Sequence, residues 1–310
     1  MKILITGGTG LIGSALIDVL LQDGHEISVL TRSPEKARNT LPSAVTPYKW
    51  DSATPEGWGH LIPDMDAVVN LAGESIAGES LLDILTKPWN DEAKRRIQQS
   101  RVKAGHALVA AIEKADKKPS VFIQSSAVGY YGPGGDDELT ENAPVGDDFL
   151  AETCKLWEDS TKPVEAMGVR RAIIRTGLVL DAKSGIMPII LLPFKLFAGG
   201  PLGDGKQYIP WIHIDDEVNA IRFLLNDKGA DGAYNLTAPN PLTQREQAKV
   251  IGRVLHRPSF IPAPAFALKL ALGEKSTLVL DGQRAIPENL QLEGFTFKFT
   301  DFETALADLL

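Results

Sequence analysis

The chain has few of the residues on which several chemistries depend. Among its 310 residues is one cysteine, Cys154, so no disulfide can close within the chain and no cysteine cluster can hold zinc. No two of its five histidines stand at metal-ligand spacing, and no protein metal site is expected. Basic residues are outnumbered, 32 against 40 acidic, giving a net charge of -8; a general polyanion-binding surface, and nucleic acid as the main partner, are not expected. There is no apolar run of roughly 18 residues and no charged leader ahead of an apolar stretch, so neither a membrane span nor an export signal is expected. A reducing cytoplasm fits this cysteine usage. Repeats and low-complexity tracts are also missing.

Glycine is concentrated at the start. Ile3, Leu4 and Ile5 form an unbroken apolar run, as in a strand buried on both faces of a parallel sheet. From Leu11 the apolar residues Ile12, Ala15, Leu16, Val19 and Leu20 take helical spacing. Between them, Gly8-x-Gly10-x-x-Gly13 fits the dinucleotide fingerprint, in which a tight turn brings the backbone close to a pyrophosphate at a helix N-terminus. The expected contacts are Gly7, Thr9, Gly10, Leu11, Ile12 and Gly13.

A second apolar run, Ile27 to Leu30, ends in Thr31-Arg32-Ser33, where a fold of this kind usually carries an acidic residue for the adenosine ribose. A carboxylate would repel a 2′-phosphate, whereas a guanidinium binds it with paired charge-assisted bonds, so NADP(H) is expected, on Arg32 and Thr31. A third strand, Val45 to Trp50, leads to Asp51, read either as an adenine contact or as a turn-forming aspartate. A fourth, from Asp66, runs into Leu71, Ala72 and Gly73, whose backbone is expected against the cofactor, with Glu74 at the crevice. Residues 75 to 91 read as an irregular insertion over the site. A long helix from about Asp91 to Ala115 follows, with Arg95, Arg96 and Arg101 most simply solvated.

The fifth strand, Val121 to Ser126, precedes Ala127-Val-Gly-Tyr-Tyr-Gly132. With the glycine turn, Asn70-Leu-Ala-Gly73, Arg175-Thr-Gly177, Trp211-Ile-His-Ile-Asp-Asp216 and Gly282-Gln-Arg284, this resembles the extended short-chain dehydrogenase/reductases, in particular the atypical epimerase family branch. The resemblance spans nearly the whole chain. It implies a serine after the fifth strand to orient substrate, a tyrosine to pass a proton, and a lysine four residues later to hold the nicotinamide ribose. Ser125 or Ser126 fits the serine, with Ser126 preferred by its distance to Tyr131, and Lys155 fits the lysine, but Ala151 stands where the tyrosine should be. Tyr130, Tyr131, Glu152 and Cys154 remain as substitutes, with Tyr131 carried forward as the catalytic candidate. Arg284 resembles the basic residue that meets a substrate phosphate in sugar-nucleotide enzymes of the superfamily.

Asp215 is expected to cap a helix over 217–225, and Thr243 with Glu246 to form a capping box. The expected architecture is an α/β Rossmann-type doubly wound parallel sheet. Residues 1–180, completed by 213–237, make the nucleotide domain; residues 181–212 and 238–310 make a smaller substrate-binding and lid region. Two functions are open: a reductase or epimerase acting on a small polar or nucleotide-linked substrate, or an NADP(H)-binding regulator that has lost its chemistry. An oligomer is possible in either case.

Overall fold

The structure is a computed structural model that describes residues 1–78, 80–182 and 184–310; Glu79 and Lys183, in the expected insertion and lid, lie outside the described residues. A seven-stranded sheet is built from β1 (Lys2–Thr6), β2 (Glu26–Thr31), β3 (Thr46–Lys49), β4 (Ala67–Asn70), β5 (Val121–Ala127), β6 (Arg170–Thr176) and β7 (Gly232–Leu236). Its order is β7-β6-β5-β4-β1-β2-β3 and every pairing is parallel. The order reverses at β1, between β4 and β2, and in open α/β sheets the crevice at such a point receives the ligand.

Unbroken apolar runs become strands here because both faces of the sheet are covered. Along β1, Ile3 and Ile5 enter one core while Leu4 enters the other; Val69 and Val68 on β4, and Ile123 and Phe122 on β5, divide the same way. The first face is covered by α1 (Leu11–Gln22) and α7 (Ile214–Asn226), through Leu16, Ile17, Leu20, Val218 and Ile221. The opposite face receives α4 (Asp91–Lys114) through Ala104, Ala107, Leu108 and Ala111, together with Trp58 and Ile62. Alpha5 (Phe149–Thr161) crosses α4 so closely that a Cβ on Gly105 would lie 2.1 Å from Ser160 Oγ.

A third core joins α6 (Met187–Lys195), α8 (Gln244–Leu255) and α10 (Phe302–Leu309) through Leu191, Phe194, Ile251, Phe302 and Leu306, around Trp211. The expected capping box on α8 is present. The expectation for Asp215 is corrected: the chain passes from the short strand Trp211–His213 straight into α7 at Ile214, so His213 is the N-cap and its Nδ1 accepts the Asp215 N–H at 3.1 Å. The expected irregular insertion also contains a helix, α3 (Leu81–Thr86), capped by Ser80.

Candidate cofactor and substrate crevice

The glycines of the turn after β1 differ in how much room a side chain would have. Gly7 has φ +70, and a Cβ there would lie 2.7 Å from the Leu71 carbonyl oxygen. At Gly13 a Cβ would stand 2.3 Å from the Gly7 oxygen, so α1 packs directly on its own turn. Gly10 meets only the Gly7 oxygen, at 3.3 Å, and is exposed. Gly8 is buried, and a Cβ there would lie 2.9 Å from Val29 Cγ2 and 3.1 Å from Ile17 Cδ1. Alpha1 starts at Leu11 with no side-chain cap and no acidic residue in its first turn. Its first N–H groups and the positive end of its dipole are left for an anion.

A buried polar ladder fixes the neighbouring strand ends. Thr6 Oγ1 donates to Asn70 Oδ1 at 2.7 Å and accepts the Ala72 N–H at 3.1 Å, while Asn70 Nδ2 donates to Gln124 Oε1 at 3.0 Å. Leu71 and Ala72 are thereby held beside the glycine turn. From the opposite side the segment after Leu178–Leu180 arrives at Gly185, where a Cβ would meet Leu11 Cδ2 at 3.1 Å. Arg32 is exposed at the end of β2, with no hydrogen bond or ion pair among the described residues; Thr31 Oγ1 accepts the Ser33 N–H. Asp51 makes a turn of its own: it accepts the N–H groups of Ala53 and Thr54, both at 2.8 Å, and these hold its carboxyl below the usual range.

Beyond Gly73, a cavity of about 630 Å³ opens between the 75–90 segment and the start of α4. Glu74, Arg96, Ile97 and Lys275 are among its lining residues. Glu74 is ion-paired to Arg96 at 2.9 Å, and Lys275 Nζ donates to the Ala77 carbonyl at 2.9 Å. Arg101, expected to be solvated, is buried instead: its guanidinium lies 4.8 Å from the Trp157 ring and against Gly73, where a Cβ would be 3.1 Å from Cζ.

The proton-relay candidates are not assembled as their spacing implied. Ser126 is buried and its hydroxyl donates to Glu158 Oε1 at 2.7 Å. Glu158 also receives Arg175 Nε at 2.9 Å and Nη2 at 3.0 Å, a two-pronged buried ion pair. Arg175 Nη1 donates to the Tyr131 hydroxyl at 3.1 Å, and that hydroxyl donates to Asn235 Oδ1 at 2.6 Å. Burial pushes the Tyr131 phenol up to about 12. Tyr130 stacks on the Arg175 guanidinium at 3.5 Å. Cys154 lies against Ser126 and Ala127, its thiol pushed up by burial to about 11. Lys155 has a side chain 54% exposed, and its Nζ is paired with Asp159, one helical turn on. Arg284 is already engaged, with Glu138 at 3.1 Å and the Asp136 carbonyl at 3.3 Å.

Glu158, Arg175 and Arg101 therefore join the site without having been singled out as site residues. A signal existed for the first two, because a charged residue inside the apolar strand Arg170–Thr176 requires a buried partner.

Comparison with known proteins gives the family and the fold. A family model described as the NAD dependent epimerase/dehydratase family matches residues 3–150, and a domain of unknown function, DUF1731, matches residues 263–309. The epimerase family protein YfhF of Bacillus subtilis is 40% identical over 100% of this chain and 98% of its own length. The chain belongs to the epimerase family. Human epimerase family protein SDR39U1, whose crystal structure contains NADPH, superimposes with a TM-score of 0.87 at 32% identity, covering 100% of this chain and 99% of that one. A Thermotoga maritima UDP-glucose 4-epimerase solved with UDP-glucose has a TM-score of 0.78 at 17% identity, covering 100% of this chain and 97% of that one, a likeness of fold alone. The expected family and the expected Rossmann-type fold are both borne out. Among the described residues no helix is long and apolar enough to cross a membrane.

Proposed function

We propose that this epimerase-family protein binds NADP(H) and passes a hydride to or from a small polar or nucleotide-linked substrate, as a reductase or an epimerase. The pyrophosphate sits on the Gly7–Gly13 turn and the 2′-phosphate on Arg32. The observation that carries the reading is Arg32, without a partner among the described residues, at the end of β2, the neighbour of β1, whose following turn opens α1 with no side-chain cap. A phosphate dianion matches both features in charge and hydrogen-bonding capacity. The NADPH in the human relative supports the same cofactor. The bound nicotinamide supplies the hydride chemistry; the chain's own part is to orient it and to hold substrate in the polar cavity beyond Gly73, with residues 181–212 and 238–310 as the substrate and lid region.

A second reading, a cofactor-binding regulator, is favoured by the state of the relay groups. The Ser126 and Tyr131 hydroxyls are both committed to buried acceptors, and Ala151 is buried where a tyrosine would act. Calorimetry on cofactor-stripped protein tests the cofactor reading. NADPH should bind at least about tenfold more tightly than NADH, and Arg32→Ala should lose about 1.5–3 kcal/mol together with the discrimination. Equal affinities in the wild type, or discrimination that survives in the variant, would overturn it. NADPH oxidation with a panel of small carbonyl compounds then separates enzyme from regulator.

A further inference from the structure

Four cationic side chains are buried among the described residues: Arg101, Arg171, Arg175 and Lys275. Three of them are neutralised or well solvated by protein. Arg175 has Glu158, Arg171 has Glu165 and the Glu158 carbonyl, and Lys275 has the carbonyls of Ala77 and Asp83. Arg101 has no ion pair among the described residues. Its one side-chain hydrogen bond runs from Nη1 to the Ile97 carbonyl at 2.9 Å, an oxygen that the α-helical ladder already uses. The nearby Glu74 carboxylate is taken by Arg96.

Burying a cation without a counter-charge costs stability, and a side chain of this length ordinarily reaches water instead. Here Trp157 holds it in place, and Gly73 leaves room for it: a Cβ on Gly73 would lie 3.2 Å from Nη2 and 3.3 Å from Nε. Neither Nε nor Nη2 has an acceptor among the described residues. Gly73 itself is exposed at the C-terminal end of β4, where the crevice lies.

We infer that Arg101 is an anion receptor in the wall of the crevice, binding a phosphate or carboxylate oxygen of the ligand that lies over Gly73. The inference rests on the proposed cofactor reading for the identity of one of its two sources. The anionic group belongs either to the cofactor's pyrophosphate or to the substrate, and the chemistry of recognition is common to both.

The test uses full-length wild type, Arg101→Met and Arg101→Lys, with calorimetry for NADPH, for adenosine 2′,5′-bisphosphate, and for inorganic phosphate and oxalate with and without saturating NADP+. Arg101→Met should fold and be at least as resistant to urea as wild type, because an unpaired buried charge has been removed. If the cofactor supplies the anion, Arg101→Met should weaken NADPH roughly tenfold or more, and adenosine 2′,5′-bisphosphate by as much only where its 5′-phosphate, one half of the pyrophosphate, is the group held. If the substrate supplies it, NADPH should be unaffected and the binding of phosphate or oxalate to the NADP+-loaded protein should be lost, with partial recovery in Arg101→Lys. Wild-type affinities in Arg101→Met for every probe would overturn the inference. So would a loss of urea resistance without any change in binding, which would make Arg101 structural. Failure of wild type to bind NADPH would overturn the cofactor reading instead, and the anion titrations on free protein would still decide the role of Arg101.

Discussion

Replacing Glu158 by glutamine tests whether the buried network at the ends of β5, β6 and β7 is a structural keystone. Glutamine keeps the volume and one acceptor but removes the charge, leaving Arg175, whose side chain is 6% exposed, with only the Tyr131 hydroxyl and the Glu141 carbonyl as full partners. Breaking a buried pair by removing one partner costs about 3–5 kcal/mol, most of it from the stranded charge; the retained acceptor places Glu158→Gln near the lower end. With about 2.1 cal/mol/K of unfolding entropy per residue, a chain of 310 residues has roughly 0.65 kcal/mol/K, so 3 kcal/mol corresponds to a Tm lower by about 5 °C. Urea and thermal unfolding read this directly. Ser126→Ala, which leaves the ion pair intact, should cost less, about 1.5 kcal/mol. A double variant, Glu158→Leu with Arg175→Met, should recover much of the loss, because neither charge is then stranded. Glu158→Gln within about 0.5 kcal/mol of wild type, or a double variant no better than the single, would refute the reasoning.

Two further outcomes follow from single positions. Gly10→Ala should preserve Tm within a few degrees and lose NADPH binding, since a Cβ there meets only the Gly7 oxygen at 3.3 Å, whereas Gly13→Ala, at 2.3 Å from that oxygen, should lose both stability and binding. NADPH titration beside thermal melts checks the pair, and undiminished binding in Gly10→Ala would count against the proposed phosphate seat. Glu217 is fully buried, accepts one bond from Thr176 Oγ1 at 2.8 Å, and has no partner for Oε2; burial raises its pKa from 4.5 to about 8. Between those values the folded state holds a proton that the unfolded state has released, so stability is fully present below the lower value and falls as pH rises through the upper. The slope is about 1.4 kcal/mol per pH unit. Urea unfolding from pH 5 to 8 should show that decline in wild type and a flatter profile in Glu217→Gln; parallel profiles would contradict it.

The sheet was legible because β1, β4 and β5 carry unbroken apolar runs whose alternate residues serve two different cores, and because glycine turns and helical spacing follow in fixed order. The nucleotide turn was legible for the same reason, although the reason for each glycine is steric and appears only when Leu71 and the Gly7 carbonyl are in place. Spacing failed at the relay. A lysine at the expected offset was read as ribose-binding, but helical geometry puts Lys155 one turn from Asp159 on the solvent face, while Glu158, three residues on, points inward to Ser126. For Asp51 the turn-forming reading is the one the hydrogen bonds from Ala53 and Thr54 show.

Arg101 and Arg175 pose the sharper question, because both occupy positions that their surroundings mark as buried. Arg175 lies within an apolar strand, and Arg101 follows Ile97 by four residues and precedes Ala104 and Leu108 by three and seven, which is the inward stripe of α4. Charge alone suggests solvent for both; periodicity contradicts it for both. A cation in an inward register must find an opposite charge, reach water or bind a ligand. Arg175 finds Glu158, which stabilises the site, whereas Arg101 finds no carboxylate and keeps two nitrogens open beside Gly73. The first arginine is accounted for by the fold, and on the inference drawn above the second has its counter-charge brought by a ligand.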